Sequence, residues 1–237
     1  MDRRKLMKKR RKRPTSKEPE AVRRDGALCA AFVNAASPKR RPRGTGPLAT
    51  YADLVAWGKR HGVLDAAGAK RLARAAADRP VDSALAVHRA GVLRELVERI
   101  LLALAERKAP DPSDIEALNA EIARAERRLV SADTGCRWVW VPRGDNDLER
   151  MLWPVVLSAA DVLTSEDHRR VRRCGGQGCD LLFVDRSPGS HRKWCTREDC
   201  GHRARSHRRY HVTIKPRREE RRRQRRQIPE APASERG

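Results

Sequence analysis

Apolar positions along the middle of the chain recur mainly at helical spacing. Leu54, Val55 and Trp57 follow Thr50, a suitable N-cap, so a short helix with those three side chains inward is expected. Asp65 caps a second helix, rich in alanine and carrying Leu72. The longest stretch, residues 83–108, sets Leu85, Val92, Leu93, Leu96, Val97, Ile100, Leu101 and Leu104 on one stripe. Asp111-Pro112 pairs a cap with proline at the first helical position and opens a fourth helix presenting Ile115, Leu118, Ile122 and Leu129. Alternation takes over across residues 129–141. Gly135 separates Leu129 to Ala132 from a set with Cys136, Trp138 and Trp140 on one face and Arg137, Val139 and Val141 on the other, the pattern of a strand pair. Helical spacing returns over 148–163 with Met151, Leu152, Val155, Val156, Ala159 and Leu163, where Pro154 must lie in the first turn or kink the helix.

Ahead of these elements, Ala27 to Val33 form a seven-residue apolar run behind Arg23-Arg24, a loose imitation of a twin-arginine export signal. Asp25 interrupts its entry and Asn34 ends it, so it reads as the first buried segment of a domain. Residues 36–48 hold Pro38, Pro42, Gly44, Gly46 and Pro47 and are expected to form a loop. Nothing repeats at a fixed period. The expected fold is mainly α: a helical domain over 26–165 with a short β-hairpin, then a small cysteine module over 168–212 built from a β-hairpin and a helix.

The helical part offers little catalytic chemistry. His61 and His88 belong to no local partner motif, and no phosphate loop, nucleophile elbow or zincin motif occurs. Glu95, Glu98 and Glu106 sit at the spacing of solvated charges, and Cys29 and Cys136 read as small buried apolar groups. An enzyme is not expected; a hydrophobic pocket for a small effector, or self-association, remains open to this domain.

Charge points to a partner. The 237 residues carry a formal charge of +23. Residues 1–24 hold 12 Lys and Arg against 3 acids, and residues 203–226 hold 12 against 2. Such blocks repel themselves and attract phosphate polyanions by releasing condensed counterions. A disordered basic head over 1–25 and a disordered basic tail over 213–237 are expected, with solubilising appendages as the plainer alternative. No apolar run of membrane-spanning length occurs.

Four cysteines give the sharpest signal. Cys174 and Cys179 form one C-x4-C pair, Cys195 and Cys200 a second, fifteen residues apart. The spacing matches one structural zinc ion held by four thiolates, each at roughly 2.3 Å, with no position left open for chemistry. Disulfides are the alternative and need an oxidising compartment. A second alternative replaces a cysteine by His202, His207 or His211, of which the last two lie one helical turn apart. Four cysteines already complete the site, and the histidines are then free to touch phosphate or base edges. Between the pairs, Leu181 to Val184 read as a strand, residues 185–189 as a reversal, and Trp194 as a packing partner of Phe183. From Gly201 onward the chain reads as a helix whose arginines fall on more than one face. Arg203, Arg205, Arg208 and Arg209 on this helix, with Arg186, Arg192 and Lys193 before it, are the candidate nucleic-acid contacts.

At these residues the chain resembles a known family. Cys174-x4-Cys179, Leu182-Phe183-Val184-Asp185-Arg186-Ser187, Arg192-Lys193-Trp194-Cys195 and Cys200-Gly201-His202-Arg203-Ala204 are similar to the CGNR zinc finger, over residues 171–211. That finger is the C-terminal module of bacterial proteins whose N-terminal part is the ABATE domain, described as stress-induced transcription regulators. Leu28 to Asn34 resembles that domain's opening, and the helical body with its paired strands fits its layout. His202 stands where the finger's signature has asparagine. The resemblance implies a zinc-dependent, DNA-binding transcriptional regulator, cytoplasmic and nucleoid-associated, with RNA as the alternative partner and a purely structural adaptor as the third reading. Loss of one zinc-site cysteine is expected to unfold residues 171–211 and spare the helical signal.

Overall fold

A computed structural model describes residues 26–37, 48–132, 135–141 and 147–227. The basic head, Arg23-Arg24, most of the expected loop at 36–48 and the end of the tail lie outside them. The helices are α1 (Leu28–Asn34), α2 (Tyr51–Arg60), α3 (Ala66–Asp78), α4 (Pro80–Ala105), α5 (Pro112–Arg124), α6 (Trp153–Thr164), α7 (His202–Arg209) and α8 (Lys215–Gln227). Strands β1 (Arg127–Ala132) and β2 (Gly135–Trp140) form one antiparallel pair; β3 (Val171–Arg173) and β4 (Leu182–Val184) form another. The chain is mainly α, as its periodicity implies.

The caps are where the side chains ask for them. Thr50 accepts from the Asp53 N–H at 3.2 Å while the Asp53 carboxylate accepts from the Thr50 N–H at 3.0 Å, a reciprocal box that starts α2. Asp65 accepts from Gly68 at 2.6 Å, and Asp111 from Ser113 at 2.8 Å. Helix α4 opens at Pro80, not near 83, because proline's fixed φ suits the first turn and it has no N–H to leave unpaired. It stops at Ala105, short of 108. Arg107 takes a left-handed φ of 64°, its N–H bonds Leu104 O, and the Lys108 N–H bonds Ala103 O. Those two bonds close a Schellman motif with arginine in the place glycine usually takes.

Helix α4 is the hub: α1, α2, α3, α5 and both strands of the second hairpin pack against it. Its buried stripe runs Ala86, Ala90, Leu93, Leu96, Val97, Ile100, Leu101 and Leu104. Periodicity alone points Leu85 and Val92 inward, yet both are more than half exposed. Alanines at 86 and 90 take the core line instead, since large apolar residues are not obliged to be buried. In α5 only Leu118 is fully buried, and Leu129 leaves the helix for exposed strand β1. Pro154 lies in the first turn of α6, so the helix starts at Trp153, and Leu148, Met151 and Leu152 pack as a buried turn before it.

Helix α1 is short and buried almost all round, with Phe32 edge-on to Trp57 at 5.0 Å. It ends against the second hairpin. The Asn34 carboxamide donates to Leu182 O at 2.7 Å and accepts from Leu182 N at 3.0 Å. Arg173 faces Leu182 in the register, while the ladder bonds fall at Cys174–Leu181 and Asp185–Arg170. Leu182 therefore turns its N–H and C=O to the edge away from β3, and Asn34 fills that edge as a missing strand would. Gly26 lies against the same strand with φ +80°, where an added Cβ would meet Val184 O at 2.1 Å.

Asn34→Ala is expected to leave two buried backbone groups of Leu182 unpaired and cost about 2–4 kcal/mol in denaturant unfolding. Asn34→Asp, which would set a buried carboxylate oxygen against Leu182 O where the carboxamide donates, should be at least as destabilising as alanine at neutral pH.

Candidate metal centre

The four cysteines are delivered by the second hairpin and the turns around it. Strand β3 runs directly into Cys174, whose N–H bonds Leu181 O at 2.8 Å. Phe183 on β4, Leu181 and the four cysteines form a small buried cluster with Trp194 packed on it, as the sequence suggests for Phe183 and Trp194. Leu182 and Val184, on the other face of β4, belong to the large helical core together with Val171.

The reversal between the pairs is organised by a residue that the motif pattern does not single out. Asp185 is fully buried and accepts from the Ser187 N–H at 3.0 Å, the Ser187 hydroxyl at 2.6 Å and the Arg192 N–H at 2.8 Å. Three donors on one carboxylate satisfy a buried charge. Arg192 then turns its guanidinium inward, over the Phe183 ring at 4.3 Å, with Nε donating to Trp194 O at 2.9 Å and a second nitrogen donating to Cys195 O. Gly175 N bonds Lys193 O at 2.9 Å and ties the two cysteine turns together.

All four Sγ atoms lie within 4.8 Å of one another, and all four residues are buried and free of disulfides. A tetrahedron with bonds of 2.3 Å has edges of about 3.8 Å, so a small inward shift completes a zinc site. The surroundings suit thiolates. Cys174 Sγ accepts from the N–H groups of Cys195 at 3.2 Å and Gly176 at 3.4 Å, and Cys200 Sγ accepts from Arg203 at 3.0 Å. Burial pushes the thiols of Cys179 and Cys195 up. Burial also opposes ionisation of Cys174, but the two N–H donors together with the neighbouring thiols of Cys179 and Cys195 outweigh it and hold its pKa below the usual thiol value. A dication among these sulfurs favours the thiolate at every position, and the flanking donors orient and neutralise it. Gly176 is what lets the backbone come so close: an added Cβ would sit 2.7 Å from Cys200 Sγ and 3.4 Å from Cys174 Sγ.

The histidine alternative does not match this geometry. His202, His207 and His211 are exposed on the helix beyond Cys200, outside the sulfur cluster, and the rings of the last two lie tilted against each other with centroids 4.2 Å apart. Cys29 is buried, and burial pushes its thiol up to about 11. Cys136, contrary to its reading as a buried group, is exposed on β2. Only the Trp140 end of this strand packs on the body, and Cys136 lies at the far end.

Beyond the centre the backbone stays helical from Arg197 to Gln227, through wider π turns at Arg197–Gly201 and Tyr210–Ile214. Thr196 starts the run by accepting from the Asp199 N–H at 3.1 Å. Helix α8 occupies part of the stretch that charge alone marks as a disordered tail, with a Lys215–Glu219 pair one turn apart at 3.9 Å. Gly201, between ligand and helix, faces Thr196 O at 3.1 Å and Trp194 at 3.3 Å with any added Cβ.

The seven candidate contact residues divide by environment. Arg192 is turned into the module. Arg186 pairs with Asp167, a buried carboxylate just before β3, at 2.8 Å. Arg203 reaches back to Cys200 Sγ, and Arg205 donates to Arg197 O at 3.1 Å while remaining exposed. Lys193, Arg208 and Arg209 are exposed, with no ion pair among the described residues.

Replacing Cys174, Cys179, Cys195 or Cys200 by Ser is expected to strip most of the bound zinc, while Cys29→Ser and Cys136→Ser leave it unchanged in metal analysis. Gly176→Ala, which keeps all four ligands, should also lower zinc content. Arg203→Ala should weaken zinc affinity roughly 10-fold in chelator competition, the scale of a lost outer-shell partner.

Residues 26–166 match the family model of ABATE, described as a putative stress-induced transcription regulator, and residues 170–211 match that of the CGNR zinc finger. Comparison with curated proteins gives no match. The finger's model spans both cysteine pairs, the buried Asp185 and the first turns of the arginine helix. The chain belongs to the ABATE family, with the helical body joined through a shared hairpin to a CGNR zinc finger.

Proposed function

We propose that this protein binds DNA through its finger and regulates transcription, with one structural zinc per chain. The observation that carries this is the helix leaving the fourth ligand. Cys200 lies on the turn that opens it, no residue from His202 to Arg209 is buried, and four of those eight are arginine. A helix that buries none of its side chains fully, and whose Arg208 and Arg209 have no ion pair among the described residues, is not built chiefly for its own core. It suits a phosphate-lined groove, whose width admits one helix. From Arg197 to Gln227 the helical run extends roughly 45 Å at 1.5 Å per residue, long enough to leave the module and follow the duplex.

Within the helix, Arg205 and Arg209 are one turn apart with Arg208 beside them, and these three are assigned to the duplex. Lys193, on the adjacent turn, is assigned to phosphate. Arg203, Arg186 and Arg192 hold the finger together and act on binding indirectly. No described helix is long and apolar enough to cross a membrane, and neither family description names a catalytic activity. The helical body is assigned to effector sensing or assembly, and the cellular site to the bacterial nucleoid. RNA is the alternative partner; aromatic residues make up 4% of the chain, little material for base stacking.

The test is selection of preferred duplexes by wild type and by Arg205→Ala, Arg208→Ala and Arg209→Ala. Base reading is expected to relax preference at one defined position, at a cost of about 1–3 kcal/mol in discrimination. A pure phosphate role would lower affinity evenly and reduce the salt slope by about one per residue. Enrichment of RNA over duplex DNA after crosslinking would overturn the DNA assignment.

A further inference from the structure

The β1–β2 hairpin stands apart from the rest of the described chain. It is tied to the body where Trp140 packs against Trp153, with ring centroids 5.6 Å apart, and its base closes by a bond from the Val141 N–H to Glu126 O. Leu129 and Trp138 face each other directly across the ladder, and each is 55% exposed. A cross-strand pair of this kind normally stabilises a sheet by packing on something. Here the neighbour is a cation: the Arg127 guanidinium lies 4.8 Å from the Trp138 ring centroid. Arg128 is exposed on the opposite face, where it pairs with Val139. Neither strand contains an acidic residue, and neither Arg127 nor Arg128 has an ion pair among the described residues.

A second copy of this chain is a poor occupant for the surface. Self-complementary pairing would bring together two hairpins whose strands carry arginines and no carboxylate to meet them, in a molecule whose formal charge is already +23. Phosphate is complementary to both faces at once. A two-stranded ribbon fits the major groove, and an apolar side chain can lie against base edges there while flanking arginines meet the backbone.

We propose that the β1–β2 hairpin is a second DNA contact, with Trp138 and Leu129 lying in a groove and Arg127 and Arg128 on the bordering phosphates. This rests on the DNA reading of the finger, so the two are tested side by side. The full-length, zinc-loaded protein is titrated with a labelled mixed-sequence DNA duplex over a range of salt. The variants are Arg127→Ala/Arg128→Ala, Trp138→Ala and, for the finger, Arg208→Ala/Arg209→Ala, with sedimentation of each in the absence of DNA. All the hairpin positions are exposed, so the thermal midpoint should move little. The hairpin arginine pair is expected to weaken binding roughly 10-fold and lower the salt slope by about two. Trp138→Ala is expected to weaken binding with the slope unchanged, because it removes no charge. Wild-type binding by both hairpin variants, with loss in the finger variant, would overturn the hairpin contact and leave the finger reading intact. A wild-type oligomer dissolved by Trp138→Ala, with DNA binding unchanged, would assign the surface to self-association and likewise overturn the proposal. Absence of duplex binding by wild type would defeat both.

Discussion

Strand β4 has two faces, and both are buried in different cores. Phe183 on the strand, with Leu181 just before it, packs with the cysteines, while Leu182 and Val184 belong to the helical body. Three residues of strand thus carry the junction between an ordinary hydrophobic core and a metal-centred one. Burying side chains such as Leu182 and Val184 contributes roughly 1.5–3 kcal/mol each. Asn34 completes the strand's outer edge and Gly26 admits its close approach. The finger is therefore anchored by the body's own first helix. The expectation that the module unfolds alone treats it as a bead on the chain, and the shared strand argues for the opposite outcome, that the two melt together.

The sulfur cluster sorts the basic residues around it. Four thiolates and one Zn²⁺ would leave a doubly negative centre, and cations nearby are drawn first to that charge and to the carbonyls and carboxylates of the turns. Arg203 reaches Cys200 Sγ, Arg192 spans Phe183 and two carbonyls, and Arg186 neutralises Asp167. Arg208 and Arg209, further along the helix, and Lys193, on the turn before Cys195, are exposed and make no such bond among the described residues. Local partners thus separate basic residues that build the finger from those available to a partner, a distinction that net charge cannot draw.

Much of this was legible from residue order, because local chemistry decides it. Thr50, Asp65 and Asp111 cap helices through contacts two or three residues away, and C-x4-C pairs bring their sulfurs together through turns nearly as short. Pro80 and the left-handed Arg107 set the ends of α4, where periodicity alone starts the helix too late and runs past its stop. Residues whose role depends on distant partners were not legible. Asn34 looks like the end of an apolar run, yet its partner is 148 positions away. Asp185 sits in a motif without announcing that it is the buried carboxylate at its centre. The exposure of Leu85, Val92 and Trp138 likewise follows from how the elements pack, which no window of sequence contains.

The central claim is that metal centre and helical body fold as one unit through β4. Scanning calorimetry of the full chain, zinc-loaded and after chelation, tests it most directly, because enthalpy reports how much of the molecule melts in each transition. The account predicts one transition that includes the helices and moves to lower temperature when zinc is removed. A helical transition that keeps its midpoint after chelation, with only a small separate transition lost, would contradict it.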